Sequence, residues 1–110
     1  MIFDKDGNTT VVFQENVSLK KFVQNFREAF PRIQNDHLVI NLFSFGKLST
    51  SDLLEFLELS NRHRGAGKSF VLVTNAISYE HIPDEICVVP TLKEARDVIE
   101  MEEIERDLEL

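Results

Sequence analysis

From His37 the sequence reads HLVINLFSFGKLSTSDLLEFLEL, an apolar run, a short loop, three consecutive hydroxyl side chains and an amphipathic segment. This stretch constrains the fold more than any other. A strand flanked by neighbours and covered on both faces is apolar almost throughout, as Leu38–Phe43 is apart from Asn41. The residues after Ser49 change to helical spacing. Such a strand-to-helix corner implies a parallel α/β sheet, and it opens at the carboxyl edge where these sheets place their working surface.

The rest of the chain supplies the neighbours such a strand needs. Ile2-Phe3 and Thr9–Phe13 carry strand-forming residues separated by Asp6-Gly7-Asn8, the chemistry of a hairpin. Val17–Phe30 predicts a helix, with Leu19, Phe22, Val23, Phe26 and Phe30 on one face and Lys20, Lys21, Gln24, Asn25 and Arg27 opposite. Asn16 or Ser18 can cap it, and Pro31 is expected to end it. A strand over His37–Phe43 and a loop, Ser44-Phe45-Gly46-Lys47, follow.

Ser49–His63 then predicts one helix, with Leu53, Leu54 and Leu57 facing inward, Phe56 a further inward candidate, and Asp52, Glu55 and Glu58 outward. Arg62, His63 and Arg64 complement the negative end of its dipole, and Gly65 or Gly67 supplies a left-handed cap. Phe70–Thr74 reads as a second buried strand. Asn75–Glu85 is polar, contains Pro83 and has room for a single helical turn at most.

Ile86–Val89 reads as a third buried strand, stopped by Pro90. Thr91, with Glu94 at the third position, caps a last helix through Ala95, Val98, Ile99, Met101 or Glu102, Ile104 and Leu108. At about 1.5 Å per residue that helix spans roughly 28 Å, so its distal turns should overhang the short strands. The predicted fold is α/β: a single domain over residues 1–110, with a mixed β-sheet of N-terminal hairpin plus parallel βαβ strands, and helices packed on one side of it.

Composition restricts the classes of function. Apolar residues at 43% and charged residues at 28% describe a globular chain rather than a disordered one. No apolar run approaches the roughly 18 residues of a membrane helix, and MIFDKDG lacks the regions of a secretory signal, so a cytoplasmic protein without membrane contact is expected. The single cysteine, Cys87, agrees with a reducing compartment and reads as a small buried hydrophobe. The net charge of −7 lies entirely in residues 84–110, where ten acids face three bases, while the first 83 residues are neutral. That distribution argues against nucleic acid, whose phosphates need a basic face, and favours a basic protein partner.

Motifs for chemistry are weak. His37, His63 and His81 stand apart with no HxH, HExxH or CxxC, so no metal is expected. GxSxG is absent too. Gly65-Ala66-Gly67-Lys68-Ser69 contains a GKS string, but it ends a helix and enters a strand, the reverse of a phosphate-binding loop. A non-enzymatic chain without a cofactor is the expectation. Ser49-Thr50-Ser51-Asp52 remains. It reads as a capping box of Ser49 and Asp52, and also as a hydroxyl cluster on which a phosphate could sit at a helix N-terminus.

VINLFSFGKLSTSDLLEFL, followed by NRHRGAGKSFVLVT and then VVPTLKEARDVIE, resembles the STAS domain of bacterial anti-sigma factor antagonists. The resemblance covers most of the chain. It implies a module that docks a protein partner, such as a serine/threonine kinase-type anti-sigma factor or another basic protein, through Phe45, Lys47, Ser49, Thr50 and Asp52, with Phe45 reading equally as an exposed anchor or as a core residue. Thr50 falls where the family's phosphorylated serine lies, which makes Thr50, with Ser49 and Ser51 beside it, the implied phosphoacceptor. Ser49 falls on the family's preceding aspartate, Asp52 on its following glycine and Asn41 on its strand aspartate, so this chain departs from the pattern at each. Asn75–Glu85 is also shorter than the family's usual helix. The chain further resembles small flavobacterial proteins sometimes labelled ribonuclease Z, although no HxHxDH motif for that chemistry is present.

Overall fold

Strand pairing in the computed structural model, which describes residues 1–77 and 82–109, follows chain order. β1 (Ile2–Asp6) and β2 (Thr9–Phe13) form the expected hairpin, with Asp6 opposite Thr9 across Gly7-Asn8. β3 (His37–Asn41), β4 (Phe70–Val73) and β5 (Cys87–Val89) then add in parallel, giving a five-stranded mixed sheet.

Side chains alternate across these strands, so each strand feeds two cores. Val12, Leu38, Ile40, Phe70 and Leu72 face α1 (Leu19–Ile33), α2 (Thr50–Leu54) and α3 (Leu57–Gly65). Val11, Val39, Val71 and Val73 face Ala95 and Ile99 of α4 (Leu92–Leu108). The helices therefore lie on both sides, not on one. Two right-handed crossovers in the same direction leave α1 and α2–α3 on a shared face. α4 follows the last strand without returning to the sheet, and it covers the valine face, which would otherwise stay wet.

Several boundaries depart from expectation. Ser18, not Asn16, caps α1, its hydroxyl accepting from the Lys21 N–H at 3.1 Å. Pro31 lies inside the last turn instead of ending the helix. Phe30, 4% exposed, and the half-buried Ile33 hold that turn against the core; burying a phenylalanine, worth about 1.5–3 kcal/mol, offsets the one hydrogen bond that proline removes near a helix end. β3 stops at Asn41 because the Asn41 side-chain oxygen accepts from the Phe43 N–H at 3.0 Å, which turns the chain into a 3-10 turn over Phe43–Phe45.

The expected single helix over Ser49–His63 is two. Between α2 and α3, the Phe56 N–H bonds the Leu53 carbonyl at 3.0 Å, a tighter winding that swings Phe56 inward and Leu54 outward. Phe56 is fully buried with its ring 6.2 Å from those of Phe22 and Phe26, whereas Leu54 is 42% exposed. At helical spacing Phe56 and Leu57 lie within about 60° of Leu53, whereas Leu54 falls about 100° from Leu53, at the edge of the buried side. Arg27 donates to the Glu55 carbonyl at 3.4 Å, occupying an acceptor at the break. Gly67, at φ +82°, is the left-handed residue closing α3.

β4 ends at Val73, one residue short of the expected Thr74. β5 is half-exposed rather than buried, since among the described residues no strand pairs beyond it. Part of the polar segment before it, including His81, falls outside the described residues. Thr91 caps α4 by accepting from the Glu94 N–H at 3.1 Å. The distal turns do not simply overhang: Glu103 lies 3.4 Å from His37, and Arg106 donates to the Ser69 hydroxyl at 3.2 Å. Their inward positions are Glu102, Glu103 and Arg106, while Met101, Ile104 and Leu108 face solvent. Among the described residues no helix is long and apolar enough to cross a membrane.

Candidate functional site

At the carboxyl edge of β3 the chain forms a rim held by hydrogen bonds to the backbone. Phe45 N–H reaches the Leu42 carbonyl at 3.1 Å, Ser44 Oγ donates to the Gln14 carbonyl at 2.8 Å, and Leu48 N–H bonds the Ala76 carbonyl at 3.1 Å. Gly46, at φ 65° and ψ −134°, occupies a region that side chains almost never enter, and it lets the turn reverse toward Lys47. Leu48 is buried beneath the rim and anchors it.

The residues singled out in the sequence separate into three groups on this rim. Lys47, Ser49 and Ser51 are exposed, and Thr50 and Asp52 are half-buried. Phe45 packs inward, its ring 5.2 Å from that of Phe22. Its larger part is therefore core, and the exposed ring of the rim is Phe43, 40% accessible. Sequence periodicity missed Phe43 because it extended the strand past Asn41; the available signal was an asparagine two residues ahead of it, which favours a local turn over a ladder.

The capping box forms as expected. Ser49 Oγ accepts from the Asp52 N–H at 3.2 Å, and the Ser49 N–H donates to Asp52 Oδ2 at 2.9 Å. This bears on the phosphoacceptor reading, since the Asp52 carboxylate already takes up an N-terminal donor of α2. With five residues, α2 also has little dipole to offer an anion. Ser51 is the exposed hydroxyl without a hydrogen bond among the described residues. Beside the rim, Leu19, Lys20, Val23, Asp52 and Glu55 line a groove of about 370 Å³ between α1 and α2.

A second polar cluster, invisible in the sequence, sits at the opposite, amino edge of the sheet. Asp36 accepts from the Thr10 hydroxyl at 2.8 Å and lies 3.4 Å from Lys5; the Thr10 bond above all holds its pKa below the ordinary value. The Ser69 N–H donates to His37 Nδ1 at 2.9 Å, which places the His37 proton on Nε2, facing Glu103. His63 pairs through Nε2 with the Asp36 carbonyl at 2.7 Å and sits edge-on between the rings of Phe30 and Phe70. It is 1% exposed, so it is a buried neutral ring and not the charged helix-end residue expected.

Burial lowers the pKa of both histidines, and it raises that of the half-buried Cys87 thiol. With His37 at 5% exposure as well, the two imidazoles are walled from solvent and serve packing. Arg64 pairs with Glu102 at 3.4 Å and ties α3 to α4. Among the described residues no three of His, Cys, Asp and Glu converge to hold a metal ion.

No protein-family model matches the chain, and no curated protein matches it. Fold and rim together define an α/β protein, a five-stranded mixed sheet with helices packed on it.

Proposed function

We propose that this chain is a non-enzymatic, STAS-like interaction module of the cytoplasm that docks a protein partner through the rim from Phe45 to Asp52, extended by Phe43. The observation that carries the reading is a solvent-facing Phe43 and an exposed Lys47 on a turn pinned by four hydrogen bonds, two between backbone groups and two through the Asn41 and Ser44 side chains. A rigid exposed ring loses little conformational freedom on binding and makes a natural anchor. A serine/threonine kinase-type anti-sigma factor, or another basic protein, is the class of partner that the sequence resemblance suggests.

The test compares the wild-type chain with Phe43→Ser and Lys47→Glu as baits in native lysate at low salt with phosphatase inhibitors. A stoichiometric partner retained by the wild type and lost with both rim variants supports the reading; equal retention by all three refutes it. A second reading, a phosphorylation switch, is favoured by the exposed Ser51 hydroxyl, which has no hydrogen bond among the described residues, with Thr50 and Ser49 as the neighbouring acceptors. Intact mass of natively expressed protein decides it: absence of a phosphorylated species across growth conditions counts against the switch.

A further inference from the structure

We propose that the outward face of α4 is a docking surface for a cationic amphipathic helix of a protein partner. Met101, Ile104 and Leu108 are 61%, 55% and 78% exposed. Their spacing of three and then four residues keeps them within about 60° of one another on the helix. They lie opposite the side that Ala95 and Ile99 bury against the sheet. A helix that only covers a sheet needs one apolar stripe; this one has two.

The charges identify the occupant. On α4, Asp97 has Lys93 at 3.2 Å, Glu102 has Arg64 at 3.4 Å, and Glu103 has His37 at 3.4 Å. Glu100, Glu105 and Asp107 are exposed and carry no ion pair among the described residues. These three flank the outward stripe. The paired acids on the distal turns point back toward the sheet, and the unpaired ones rim the second apolar face. Glu94 and Asp97 continue the line toward the N-terminus, which confines the apolar part to about two turns.

A second copy of this chain is a poor occupant, because parallel and antiparallel pairing alike would set these acids against acids. An anionic membrane surface is repelled for the same reason. A helix with apolar anchors at matching spacing and lysine or arginine along its flanks satisfies both the stripe and the unpaired carboxylates. This surface is separate from the rim, and either can stand without the other.

The probe is a fluorescein-labelled amphipathic peptide of about 20 residues with a leucine seam flanked by lysine, compared with its glutamate-flanked twin. Each is titrated with the full chain by anisotropy at about 50 mM and about 300 mM salt. The lysine peptide should bind and weaken about tenfold or more at the higher salt. The double variant Ile104→Ser, Leu108→Ser, and separately the triple variant Glu100→Gln, Glu105→Gln, Asp107→Asn, should each weaken it about tenfold or more. Circular dichroism should stay unchanged for both, since every altered side chain is exposed. Phe43→Ser should leave this affinity intact. Equal binding of the two peptides, no binding of either, or indifference to the double variant overturns the proposal. So does a wild-type dimer in sedimentation that the double variant dissociates, which would assign the stripe to a second copy.

Discussion

Acid should destabilise this protein through two buried imidazoles. His37 and His63 are 5% and 1% exposed, and burial holds both below the ordinary value of 6.5. The unfolded chain, with ordinary histidines, therefore binds more protons than the folded one as pH falls through 6.5. Stability from this source is complete above that point and is lost below it, toward the folded values. Geometry enforces the sign at His37, where Nδ1 already accepts the Ser69 N–H at 2.9 Å, so an added proton would face a donor. Glu103 at 3.4 Å, with Glu102 behind it, opposes the effect, while Arg106 and Lys68 reinforce it.

The limiting slope is about 1.4 kcal/mol per pH unit for each group, so the pair loses up to about 2.5 kcal/mol between about pH 7.5 and about pH 5.5. Urea unfolding followed by far-ultraviolet circular dichroism measures it, since the chain has no tryptophan. The double variant His37→Asn, His63→Phe removes both protons while keeping an acceptor for Ser69 and a ring between Phe30 and Phe70. Its stability should be flat over this range, or rise slightly as the net charge of −7 is reduced. The reasoning is refuted if wild type and double variant show the same slope.

Other substitutions probe the points where local pattern and packing disagree. Phe56→Ala should cost about 3–5 kcal/mol, and Leu54→Ala should stay within about 0.5 kcal/mol, in chemical denaturation; equal losses would mean that Leu54 is packed in the core as Phe56 is. Gly46→Ala meets no atom within 4 Å, yet the backbone at φ 65° and ψ −134° should make it about 1–3 kcal/mol less stable in thermal melts. Ser49→Ala should lose about 1 kcal/mol, and Ser49→Asp should recover most of it because aspartate also caps; no recovery would show that the hydroxyl serves something other than the cap.

Much of the architecture is written in local pattern. The hairpin, the parallel strands at His37 and Phe70, the Thr91 cap and the Ser49 box follow from turn chemistry, apolar runs and capping residues, all of which act within a few positions along the chain. What those rules could not supply is competition between distant side chains. Phe56 is buried because its ring meets Phe22 and Phe26 across the core, and Pro31 is carried inside its helix because Phe30 and Ile33 are held there.

The rim shows the same division. Its hydroxyls and lysine stand near where the sequence set them; of the two readings open for Phe45 the core one is observed, and Phe43 became the exposed ring because one asparagine side chain ended the strand two residues early. The amino-edge cluster of Asp36, His37, His63, Ser69 and Glu103 was illegible, its members lying up to 67 residues apart. The sequence alone determined which segments become strands and helices, because propensity and capping are local. Only the tertiary structure decided which apolar face of the last helix is buried and which stays free, because that choice depends on the valine side of a sheet assembled from separate parts of the chain.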